Sequence, residues 1–72
     1  MTTLMWEVRA AEGRLAELVE WVLANAGPDA VVYRSGDDER VVLIGPPEAG
    51  PGEPPAELVR RAPHAWTFDR VR

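Results

Sequence analysis

The chain has no cysteine and no lysine, a single histidine, and no apolar run longer than about five residues. Without cysteine there is no disulfide framework, no thiolate nucleophile and no cysteine-based zinc site. One histidine also argues against a His-rich metal site. Motif spacings for a phosphate loop, a nucleophile elbow or a catalytic serine are missing as well, so no cofactor is implied. The short apolar runs exclude a helical membrane span. The opening "MTTLMWEVRA" lacks the basic region and apolar stretch of a signal peptide. The expectation is a soluble, cytoplasmic protein with no membrane partner. All eight basic residues are arginine, a bias most simply explained by a GC-rich bacterial genome. They are scattered apart from Arg60 and Arg61, and twelve acidic residues leave a net charge of −4. No basic stripe for nucleic acid results.

What is present is enough for one small domain, residues 1–72. Residues 3 to 9, "TLMWEVR", alternate: Leu4, Trp6 and Val8 share one face, and Met5, Glu7 and Arg9 the other. Period two predicts a strand. In "AAEGRLAELVEWVLANAGP" the residues Leu15, Leu18, Val19, Val22, Leu23 and Ala26 form an amphipathic stripe. This helix is expected to end with Gly27 in a left-handed cap ahead of Pro28. The runs "AVVYRS" (30 to 35) and "RVVLIG" (40 to 45) flank "GDDE" and predict a β-hairpin. Residues 46 to 55, "PPEAGPGEPP", hold five prolines and two glycines and predict a loop. A two-turn helix is expected over "PAELVRRA", stopped by Pro63, with Arg60 and Arg61 complementing its C-terminus. A last strand is expected in "HAWTFDRV". The order β-α-β-β-α-β is the split pattern of a ferredoxin-like α+β fold, with both helices on one face of a four-stranded antiparallel sheet.

Such a sheet is bare on its second face. With strand order 4-1-3-2 the third strand is central, and it is apolar on both sides: Val41 and Leu43 oppose Val42 and Ile44. A chain of this size without disulfide or metal also needs help burying surface. Both considerations point to a homodimer packed sheet to sheet about a two-fold axis. The alternative cover is the chain's own Pro-rich loop or C-terminus.

The stretch "MWEVRAAEGRLAELVEWV", the hairpin after it and the closing "PHAWTF" together resemble dimeric α/β-barrel proteins, nearest to the antibiotic-biosynthesis-monooxygenase-like group. The resemblance implies a homodimeric barrel. It also implies binding of a small aromatic or polar-aromatic metabolite, with cofactor-independent oxygenase chemistry known in some members. The group's acidic residue and tryptophan after the third strand, and its longer His-bearing helix, have no counterpart in "GPPEAGPGEPP". Asn25, the sole asparagine, lies near a helix end, so no catalytic asparagine is carried across. The stretch "EGRLAELVEWVLANAGPD" is also similar to the Gly turn and helix of ACT domains. That second resemblance implies a non-catalytic regulatory or interaction module that binds a metabolite.

Candidate ligand-binding residues are Glu7, Arg9, Tyr33, His64 and Trp66; no catalytic residue is assigned. Glu7 and Arg9 point the same way from a central strand, and a dimer would bury them, which requires a partner charge or a ligand. The competing reading pairs them with a dimer mate or with Asp69. His64 suits proton transfer near neutrality, yet its only sequence-near acid is Asp69, so a solvated strand-start histidine is the plainer reading. Trp6 is expected in the core. Trp66 is poised between core and pocket, as is Phe68, and Tyr33 is a weaker candidate on an edge strand.

Overall fold

The computed structural model describes residues 1–72. Strand β1 spans Thr2–Arg9, helix α1 Leu15–Asn25, β2 Val31–Ser35, β3 Arg40–Gly45 and β4 His64–Asp69. The sheet is antiparallel throughout and ordered β2-β3-β1-β4, so β1 and β3 are central. This is an α+β fold with a four-stranded antiparallel sheet and one helix.

The alternation in β1 works as its pattern requires. Leu4, Trp6 and Val8 are buried against α1, as are Val41 and Leu43 of β3. From α1, Leu18 and Val22 are fully buried, while Leu15, Val19 and Trp21 pack at the margin and Leu23 faces solvent. Gly13, at φ +76, turns the chain from β1 into α1, a conformation that costs glycine little. The helix ends differently from expectation. Ala26 is already extended (φ −73, ψ 153), and Gly27 is not among the glycines with positive φ. Its value lies in close approach. The Gly27 N–H donates to the Ala49 carbonyl at 3.0 Å, and a Cβ at position 27 would meet Ala49 Cα at 3.0 Å.

The second helix expected over residues 55–62 does not form. A single 3-10 turn, Ala56–Leu58, gives way to extended backbone at Val59 (φ −127, ψ 152). Leu58 and Val59 are the only large apolar residues there, too few for a stripe that would stabilise a nucleated helix. Extension instead yields hydrogen bonds with the end of β1 and the turn after it: the Arg60 N–H donates to the Arg9 carbonyl (3.0 Å), and the Ala11 N–H to that of Leu58 (2.8 Å). Arg60 and Arg61 therefore cap no helix. The Arg60 side chain donates to the Ala10 carbonyl at 2.9 Å and pairs with Glu39 at 2.8 Å. The Pro-rich loop takes the missing helix's place, with Ala49, Pro51, Pro54 and Leu58 buried. A Cβ on Gly50 would lie 3.2 Å from Leu4 Cδ2, which places the loop on the helix side of the sheet. It does not cover the other face.

Candidate functional site

Pairing register decides what the open face carries. Across the sheet, Tyr33 lies opposite Val42, Val42 opposite Glu7, and Glu7 opposite His64. One step along, Val31, Ile44, Met5 and Trp66 make a second row, with Thr3 opposite Phe68 beyond it. All five sequence-predicted residues, Glu7, Arg9, Tyr33, His64 and Trp66, thus share the open face. Trp6 does not join them and is only 5% exposed, whereas Trp66 is 45% and Phe68 51% exposed. Tyr33 sits at the β2 edge, about 14 Å from His64 across three strand spacings, and belongs to the apolar floor more than to the polar cluster.

The polar cluster is at one end. Glu7 stands between Arg40, whose Nε is 3.4 Å from Glu7 Oε2, and His64, whose Nδ1 is 3.8 Å from Glu7 Oε1. The acid nearest His64 is therefore Glu7, brought beside it by strand pairing but not hydrogen-bonded to it. Neither Glu7 nor Arg9 pairs with Asp69. That carboxylate instead accepts from the Thr2 hydroxyl at 3.0 Å, at the far end of the sheet. Arg9 Nε donates to the Asp38 carbonyl at 3.3 Å. The His64 and Trp66 rings meet edge to face with centroids 5.8 Å apart, a favoured aromatic geometry.

A cleft of about 170 Å³ opens at this end, lined by Glu7, Val8, Arg9, Arg40, Arg61, Ala62 and His64. Its far wall comes from a break in strand pairing. Glu7 faces His64 and Ala10 faces Val59, so three steps on β1 match five on the opposite segment (10 − 7 = 3, 64 − 59 = 5). The two surplus residues bulge out, and Arg61 and Ala62 at this bulge line the cleft. Bulges commonly re-aim side chains in this way. Arg40 and Arg61 are the site residues that sequence reasoning missed. Local pattern carried no signal for them, because their placement follows from pairing between segments far apart in the chain. No group of three or more His, Asp or Glu side chains converges to hold a metal. No helix is long and apolar enough to cross a membrane. Comparison with protein-family models, with curated proteins and with solved structures finds no match.

Proposed function

We propose that this chain is a homodimeric binding protein that holds a small aromatic metabolite between two facing sheets, as in a dimeric α/β barrel. The observation that carries the reading is the open face itself. Met5, Val31, Tyr33, Val42, Ile44, Trp66 and Phe68 form an apolar floor, with charged residues toward its two ends, Glu7, Arg9 and Arg40 at one and Asp29 and Glu48 at the other. An apolar centre with a charged rim is the usual anatomy of an interface. Four strands make a face about 19 Å wide and about 20 Å long. The loop that might have covered this face is committed to the other side, through Ala49 and Leu4. A second copy is the occupant that suits a self-complementary patch.

The proposal is of binding and not of oxygen chemistry. The residues gathered at the cleft are arginines, a glutamate and a histidine, with no asparagine among them. Light scattering over a dilution series should return twice the monomer mass of 8.0 kDa. Trp66→Glu, which places a charge in the middle of the floor at a half-exposed position, should return the monomer with its circular dichroism unchanged. A wild-type monomer at every concentration would sink the barrel reading, and oxygen uptake on adding a hydroquinone would replace binding by catalysis.

A further inference from the structure

We propose that the cleft at the arginine-rich end of the open face receives one carboxylate group, carried on an aromatic ring. The ring rests on the barrel reading above; the carboxylate site lies within a single chain and does not. Register sets Arg9 directly opposite Arg40 on the same face, a like-charge cross-strand pair that is unfavourable when left alone. Arg61 adds a third guanidinium from the bulge, and Glu7 is the only carboxylate in the lining. The chain pairs its cations elsewhere: Arg14 is bidentate to Glu17, and Arg60 reaches Glu39. In the cleft three arginines share a single carboxylate, Glu7, which lies 3.4 Å from Arg40 Nε. Arg40 Nε is buried with no hydrogen-bond acceptor, since Glu7 at 3.4 Å stands off its axis. Arg9 engages only a main-chain carbonyl, through Nε. Arg61 takes part in none of the chain's ion pairs.

Positive charge is thus in excess at the cleft, three guanidiniums to one carboxylate, in a chain whose net charge is −4. Planar guanidinium forks match a planar carboxylate. A cleft of about 170 Å³ is the share of roughly six waters, room for a carboxylate and its first ring atoms. The Glu7 charge in the lining disfavours a doubly charged phosphate. Beyond the cleft a ring meets Trp66, whose own ring lies against His64.

The test titrates the intact chain with benzoate, benzamide and inorganic phosphate at low ionic strength. It follows tryptophan fluorescence and the arginine Nε–Hε resonances, with light scattering on the same samples. Benzoate should saturate and move the Arg9, Arg40 and Arg61 resonances. Benzamide, lacking the charge, should bind at least about tenfold more weakly. Arg61→Ala and Arg9→Gln should each weaken benzoate by about tenfold and leave the mass unchanged. Arg9→Gln should also leave the ligand-free melting temperature equal or higher, because it removes the like-charge pair, while abolishing the rise that benzoate produces. Equal binding of benzamide, tighter binding of phosphate, or no saturation by benzoate would each overturn the proposal. A dimer that ignores benzoate and dissociates in salt would overturn it too. That result would mean that Asp29 and Glu48, which line a depression at the opposite end of the face, reach the arginines of a second copy. A monomer that binds benzoate would keep the carboxylate site and remove the barrel.

Discussion

At the scale of single residues, Glu39 does more than its place in a hairpin turn suggests. It adopts a left-handed conformation, φ 50, which is unfavourable for a residue with a side chain. Its carboxylate accepts from the Gly13 N–H at 3.0 Å and from Arg60 at 2.8 Å, and its carbonyl accepts from the Ala10 N–H at 2.7 Å. One residue thus ties the hairpin to the β1–α1 turn and to the segment after the Pro-rich loop. Glu39→Ala should lower the stability measured by urea unfolding by about 1–2 kcal/mol. Glu39→Gly loses the same bonds but relaxes the backbone, and should recover about 1 kcal/mol of that. Equal midpoints for the two variants would show that the backbone conformation carries no cost. Glu17 supplies a pH test. Its hydrogen bond and charge interaction with Arg14 hold its carboxyl below the ordinary value. A lowered folded-state pKa contributes stability that is present above the unfolded value, about 4.3 for glutamate. That stability is lost as pH falls through the folded-state value. Glu17→Gln should therefore flatten the acid side of the stability curve and leave its shape above pH 6 unchanged. Because the pair is exposed, the effect should shrink in salt.

At the scale of elements, the helix end and the Pro-rich loop meet closely at Gly27 and Ala49. Gly→Ala is usually mildly stabilising where the backbone permits it, and at position 27 φ is no obstacle. Crowding reverses the sign. The new Cβ would sit 3.0 Å from Ala49 Cα, a backbone atom, so Gly27→Ala should destabilise by about 1–3 kcal/mol. Thermal melts of this variant beside Gly36→Ala, where a Cβ meets nothing within 4 Å, would isolate the contact.

Elements with a repeating pattern were legible in the sequence. The Leu18 and Val22 stripe and the two-residue alternation of β1 each state which side is buried, and the strand order is the one usual for the β-α-β-β-α-β pattern although its second helix does not form. The second helix was not legible, because "ELVRR" contains a single apolar pair that fits a turn of helix or a strand end equally well. Main-chain hydrogen bonds to Arg9 and Ala11 decided between them, and those partners lie far away in sequence. The candidate site divides the same way. The shared face of Glu7 and Arg9 is a local fact. The presence of His64, Arg40 and Arg61 beside them depends on register and on a two-residue bulge, which no window of sequence encodes.

At the scale of the whole molecule, the core is small. Ten apolar residues form it, and every buried residue type is apolar, with no buried polar or charged side chain. A domain of this size retains only a thin margin of stability. If the open face is shared with a second copy, association adds to that margin by mass action. The melting temperature should then rise with protein concentration, and differential scanning calorimetry from low to high micromolar would detect it. A melting temperature independent of concentration, with Trp66 and Phe68 still quenchable by solvent, would mean that the core suffices alone.

The last strand adds a consequence in time. All six residues of β4 are exposed, because neither a helix nor the loop lies over it, and its sole strand neighbour is β1, at the other end of the chain. The β2–β3 hairpin closes across a turn of four residues, Gly36 to Glu39, whereas β4 must find β1 across nearly the whole sequence. It is therefore expected to join last during folding and to open first in the native state. Its amide protons should exchange with deuterium well before those of β3. The cleft should follow the same order, since His64 belongs to β4 and Glu7 to the central strand β1.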